Sequence, residues 1–156
     1  MYALFLPWLL GNVDVPLNPL FREHELRHIL ADCGAKVVIT TRSWYGQDYP
    51  ALLARFLPDL PDLRWVIVRG ADGGDGRTFL SLEEVIALGK PPRRLKTPST
   101  KAGRIFYTSG TTDQPKGVVH SREGYWRLAV RAVSPRLDLG LLRCLLLPFP
   151  PYHYAG

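Results

Sequence analysis

Cysteine is scarce in this chain. Two occur in 156 residues, Cys33 and Cys144, at unrelated positions. No C-x-x-C pair and no Cys/His spacing suited to zinc is present, which argues against a disulfide-stapled secreted scaffold and a zinc module. Long hydrophobic runs are lacking too. The apolar opening, Met1 to Leu10, is half the roughly 20 residues that a membrane-spanning helix needs. It also lacks a basic leading segment and an A-x-A cleavage site, so it reads as a buried helix rather than a signal peptide or transmembrane segment. Repeats are absent, and the cytoplasm is the default compartment.

The charge balance is +6, from 20 Lys plus Arg against 14 Asp plus Glu. The excess lies at Lys90, Arg93, Arg94, Lys96, Lys101 and Arg104, among prolines, and no aromatic residue interrupts it before Phe106. A stacking platform for single-stranded nucleic acid is therefore missing, and the stretch reads as a solvated basic linker. With 46% hydrophobic and 22% charged residues the composition is that of a globular protein. A chain of this length buries about 70% of its unfolded surface.

Periodicity predicts an α/β fold. Val13 to Leu17 is a short β-like run closed by Asn18 and Pro19. Arg22 to Cys33 carries Leu26, Ile29, Leu30 and Cys33 on one helical stripe, with Gly34 as its stop. Lys36 to Thr40 is a buried strand. Tyr49, Leu52, Leu53, Phe56 and Leu57 follow helical spacing, with Pro50 in the first turn. Arg64 to Val68 is the next strand. Ser81 then starts a short helix through an S-L-E-E capping box that ends near Gly89. Three strands separated by helices imply a parallel sheet with crossover helices across residues 1–89. Residues 90–103 form the linker. Residues 104–156 hold strands at Arg104 to Thr108, Gly117 to His120 and Cys144 to Leu147, and a helix from Arg122 to Val133 capped by Ser121. Trp65 and Trp126 read as core residues.

Directly after the Arg104 strand comes Tyr107-Thr108-Ser109-Gly110-Thr111-Thr112-Asp113-Gln114-Pro115-Lys116-Gly117. Short hydroxyls, glycines and a lysine are the parts that polyphosphate binding needs. The string is not a Walker loop, which would require Gly at Pro115 and Ser or Thr at Gly117. Composition alone leaves a Thr- and Gly-rich surface hairpin equally open.

Spacing separates the two. The string Y-T-S-G-T-T-D-Q-P-K-G-V resembles the phosphate-loop signature Y-T-S-G-T-T-G-x-P-K-G-V of the adenylate-forming, AMP-dependent acyl- and aryl-CoA synthetase superfamily. Gly11 to Thr40 looks like that family's strand, helix and strand, and Pro150 to Gly156, P-P-Y-H-Y-A-G, resembles its P-L-F-H-x-x-G. The resemblance spans essentially the whole chain but only a slice of the family's large N-terminal domain. Neither Y-G-x-T-E nor T-G-D occurs here. It implies a β-hairpin phosphate loop in which Thr108, Ser109, Gly110, Thr111, Thr112 and Lys116 hold the ATP phosphates. His153 would act with Lys116 in catalysis, and Tyr152, His153, Tyr154 and Gly156 would border the acyl pocket. The implied reaction joins a fatty or aromatic carboxylate to the α-phosphate of ATP, with Mg2+, and then passes the acyl group to coenzyme A. Such displacement depends on positioning and charge stabilisation. The truncation implies a fragment inactive alone, and the apolar strand Cys144 to Leu147 implies self-association of an incomplete sheet. The alternative is a non-catalytic nucleotide-binding remnant.

Two patterns compete with this reading. His24-Glu25-Leu26-Arg27-His28 matches the zinc-peptidase H-E-x-x-H. With Leu26 at the centre of the apolar stripe, His24 and His28 lie roughly 160° and 200° away and point to water, so no metal is expected. Asp72 to Glu83 has the length of a calcium loop, but Gly74, Gly76 and Arg77 replace the acids and glycine it needs, leaving a glycine turn. His120 is open to a nucleotide contact or a structural place.

Asp113 is the departure inside the best motif, because it adds an anion where glycine lets phosphate approach. Two unit charges about 6 Å apart repel by roughly 3 kcal/mol at an effective dielectric near 20, before screening by salt. With the carboxylate facing the phosphates, Asp113→Gly is expected to tighten MgATP binding by about tenfold. Titrating MgATP against both forms of the loop in an intact homologous synthetase checks this. Unchanged or weaker affinity in the glycine form means that the carboxylate faces solvent or helps hold the metal.

Overall fold

A computed structural model of the chain describes residues 10–71, 73, 75–89, 102–108, 114–124 and 127. These fall into two compact units. One holds residues 10–18, 102–108 and 116–127, and the other holds residues 19–89 and 114–115. Calls on Met1 to Leu9, on the linker from Lys90 to Lys101, on Trp126 and on Cys144 to Leu147 lie outside the described residues.

In the larger unit, α1 spans Glu23–Asp32. Acids at Glu23 and Glu25 sit in its first turn, and the Glu25 carboxylate accepts from the Arg22 backbone N–H at 3.0 Å. Gly34, at φ +57°, ends it in the left-handed conformation that suits glycine. Leu26, Ile29 and Leu30 are buried as the stripe requires. Strand β1 (Val37–Thr41) leads to a tight hairpin, β2 (Ser43–Trp44) and β3 (Gln47–Asp48). Its turn residues Tyr45 and Gly46 both have positive φ, as a two-residue hairpin demands. Helix α2 (Tyr49–Phe56) follows, capped by Asp48 Oδ1 on the Ala51 N–H at 2.9 Å. Its apolar face, Leu52, Leu53 and Phe56, is buried, and the Tyr49 hydroxyl donates to the Pro19 carbonyl. A 3-10 turn, Leu57–Asp59, precedes β4 (Trp65–Arg69).

The sheet order is β1-β4-β5, all parallel, with β5 at Phe79–Ser81. The predicted parallel sheet is present, but its third strand differs. Val13 to Leu17 does not join it, whereas β5, hidden behind the glycine turn, does. Among the described residues, the link from β4 to β5 has no helix. Instead the Asp75 carboxylate accepts from the N–H groups of Arg77, Thr78 and Phe79, each at 2.8 Å, which turns the chain into β5. Those bonds hold the Asp75 carboxyl below its usual range. Ser81 caps α3 (Leu82–Ala87) by accepting from the Glu84 N–H, as expected, while its own hydroxyl donates to Glu83.

Lys36 to Thr40 was expected to be a buried strand, and Trp65 to be core. Instead β1 and β4 alternate. Val38, Val66 and Val68 are buried, while Val37 and Ile39 are exposed and Trp65 is 44% exposed. Val37 and Ile39 pair in register with Trp65 and Ile67, so these residues share one face of the sheet. Among the described residues, only the opposite face is covered.

The smaller unit is an antiparallel pair, β6 (Ala102–Thr108) and β7 (Lys116–Ser121). Asp14 makes an isolated parallel bridge to Arg104. Its N–H donates to the Gly103 carbonyl at 3.2 Å, and its carbonyl accepts from the Ile105 N–H at 2.9 Å. Arg104 therefore does not belong to a solvated linker. It is 5% exposed, and its Nε and Nη2 reach Asp14 Oδ2 at 2.9 and 2.8 Å, with Asp14 itself 8% exposed. Asp14 Oδ1 is buried without a hydrogen-bond partner. The Arg104 guanidinium also lies 5.5 Å from the Phe106 ring centroid.

A buried pair of this kind stabilises only while both members remain, because either alone is an uncompensated charge. Asp14→Ala is expected to lower unfolding free energy by about 3 to 5 kcal/mol. Asp14→Leu combined with Arg104→Leu is expected to stay within about 1 kcal/mol of the native chain. Urea denaturation of the single and double variants checks both values.

Candidate functional site

The register of β6 on β7 sets the site. Thr108 stands opposite Lys116, and Tyr107 opposite Gly117. The hydroxyl-rich loop leaves one strand at Thr108 and re-enters the other at Lys116. Both of those residues are exposed, and the Thr108 hydroxyl donates to the Lys116 carbonyl at 3.5 Å. Of the predicted site residues, these two are placed together at the base of the loop. Ser109, Gly110, Thr111 and Thr112, with Asp113, and Tyr152, His153, Tyr154 and Gly156 lie outside the described residues.

Gly117 has a specific reason to be glycine. A Cβ there would meet Tyr107 Cζ at 3.0 Å and Ile105 Cγ2 at 3.1 Å. The Tyr107 ring thus crosses the space that a side chain at Gly117 would fill, a pairing known to support glycine in strands. Ser121 accepts from the Gly124 N–H at 2.9 Å, the expected cap, and residues 122–124 and 127 are helical. His120 is half-buried, edge-on to Phe106 with ring centroids 5.6 Å apart, which is the structural place left open for it.

The histidine pair of α1 divides. His24 is exposed, as its helical angle predicted. His28 is not turned to open water. It is half-buried, and its Nε2 lies 2.9 Å from the Pro115 carbonyl. A carbonyl oxygen only accepts, so Nε2 carries the proton. The helical wheel placed His28 opposite the apolar stripe correctly, but it carries no information about a carbonyl 87 residues later in sequence that meets the ring. Among the described residues no group of three His, Cys, Asp or Glu is arranged to hold a metal ion. The Cys33 thiol, half-buried, is pushed above its usual range chiefly by burial, so it is no ready nucleophile.

A cavity of about 300 Å3 lies in the larger unit, bordered by Arg42, Asp48, Val68, Asp75 and Phe79. Both acids are committed to backbone N–H groups of the helix cap and the turn. Among the described residues no helix is long and apolar enough to cross a membrane.

Comparison with known proteins identifies the family. The AMP-binding enzyme family matches residues 1–156. The chain is 34% identical over 156 residues to the long-chain-fatty-acid–CoA ligase FadD13 of Mycobacterium tuberculosis, covering 94% of this chain and 27% of that protein. It is 30% identical over 150 residues to the medium-chain fatty-acid–CoA ligase of Escherichia coli, covering 94% and 26%. The chain thus spans about a quarter of the length of these relatives. Among solved structures, the anthranilate CoA ligase AuaEII in complex with anthranoyl-AMP aligns with a TM-score of 0.68 at 29% identity, over 81% of this chain and 23% of that one.

Gly117→Val is expected to force the Tyr107 ring from its place and to cost about 1 to 3 kcal/mol. Denaturant midpoints compared with those of Val118→Ala, an exposed control in the same strand, check this.

Proposed function

As a member of the AMP-binding enzyme family, this chain, we propose, supplies the phosphate-gripping part of an AMP-forming ligase that activates a carboxylic acid with ATP and transfers it to coenzyme A. The observation that carries the reading is the placement of Thr108 and Lys116 in register at the two ends of the hydroxyl-rich loop. An exposed ammonium on the strand that re-enters from a hydroxyl-rich loop suits a polyphosphate chain, which offers acceptors along its length. The residues fit a phosphate group. Lys116 is exposed on the strand that follows the loop, and its charge would offset the negative charge that builds up on departing pyrophosphate. Ser109, Gly110, Thr111 and Thr112 would add hydroxyl and backbone donors between those ends. His153 would work beside the carboxylate, with Tyr152, Tyr154 and Gly156 bordering the acyl group. Mg2+ would arrive with the nucleotide and share its charge.

Fatty and aromatic acids are the substrate classes in view, supported by relatives named for long- and medium-chain fatty acids and a structural neighbour named for anthranilate. A cytoplasmic setting accords with two unrelated cysteines.

Lys116→Met tests the reading. Removing a charge-assisted hydrogen bond to phosphate weakens binding by roughly 1.5 to 3 kcal/mol, or about tenfold to a hundredfold. Calorimetric titration of the chain with MgATP is expected to show that loss. Equal affinity in both forms, or no binding by the native chain, overturns the proposal.

A further inference from the structure

We infer that His28 is a positioning residue for the phosphate loop, latching its C-terminal shoulder to α1 through the Pro115 carbonyl. The inference rests on reading residues 108–116 as a phosphate-gripping loop, and it adds a residue that the loop motif itself does not contain.

Three features support it. His28 Nε2 donates to the Pro115 carbonyl at 2.9 Å. Pro115 is buried and has no N–H, so that carbonyl is its single main-chain polar group, and removing the imidazole would leave it without this donor. The donor stands on a fixed base, since Leu26, Ile29 and Leu30 bury the other side of α1 and Gly34 closes its end.

What the latch controls follows from chain geometry. The Pro115 carbonyl lies in the planar peptide that joins Pro115 to Lys116. Fixing that oxygen fixes the plane entering Lys116. The plane leaving Lys116 is held separately, in the β6–β7 ladder and by the Thr108 hydroxyl on the Lys116 carbonyl. With both planes held, the Cα–Cβ direction of Lys116 is set before any phosphate arrives, and preorganisation of this kind is what makes a cation effective. His28 touches no phosphate in this scheme, because its Nε2 proton is already committed to the carbonyl.

The test compares the native chain with His28→Phe, which keeps a ring and loses the donor, and His28→Gln, which keeps a donor. The first readout is amide hydrogen exchange at Gln114, Lys116 and Gly117, with Ile29 and Val66 as internal controls. His28→Phe is expected to speed exchange at the three loop amides by about tenfold, with the controls unchanged and His28→Gln close to native. The second readout is pyrophosphate affinity, expected to fall about three- to tenfold in His28→Phe and to recover in His28→Gln. Native exchange rates in His28→Phe would overturn the latch. So would faster exchange that extends to Ile29 and Val66, because His28 would then act on global stability. If the native chain binds pyrophosphate and His28→Phe binds it equally well, the positioning role falls. If no form binds pyrophosphate while the loop exchange still differs, the phosphate reading falls and the latch stands.

Discussion

A loop that holds polyphosphate needs fixed ends, and here the ends are fixed by the pairing of β6 with β7. Neighbouring strands lie about 4.8 Å apart, so residues in register face each other across a short, constant gap. Thr108 and Lys116 are such a pair. Moving either strand by one residue would carry Lys116 away from Thr108 and turn the side chains of the moved strand to the opposite face. Everything proposed for the loop depends on that register.

Much of the scaffold could be read from sequence because its signals are local. The apolar stripe of α1, the glycine that ends it, the proline in the first turn of α2 and the serine cap of α3 each act within a few residues of themselves. The hairpin was legible for the same reason, as two β-rich runs around a loop. Less visible were features set by partners far along the chain. Arg104 closes a basic run and opens a strand, and nothing near it in sequence marks its charge as buried. Only the meeting with Asp14, 90 residues away, converts it to a buried ion. His28 escaped for the same reason. The strand β5 was hidden because three residues after a glycine turn carry no periodicity, and the open face of β1 and β4 was hidden because a run such as V-V-I reads alike whether one face is covered or two.

The larger site is only partly legible in either source. The motif names the loop residues by resemblance, and the structure adds the geometry of its two ends. Sequence alone could not show why Gly117 follows Lys116. The coordinates supply a steric reason, the Tyr107 ring lying where a Cβ would project. That reason belongs to the strand pair rather than to phosphate, so a glycine in a binding motif can serve the scaffold.

Close contacts hold β6 to the segments beside it, and the buried ion pair is one of them. Tyr107 fits only against a residue without a side chain, which selects Gly117 as its partner. At Gly103, where the ladder is irregular, a Cβ would come within 3.0 Å of the Arg122 Cα and 2.7 Å of its Cγ, so the chain approaches closely there. The Arg122 side chain in turn donates to the Asn12 carbonyl at 2.7 Å, two residues before Asp14. Asp14 then meets Arg104. Apolar pairs could supply comparable stability at this position, but they slide, whereas two charges buried together are strongly penalised when either is displaced. The pair thus fixes how the Asp14 segment lies along β6, the strand that carries Thr108 to the base of the loop.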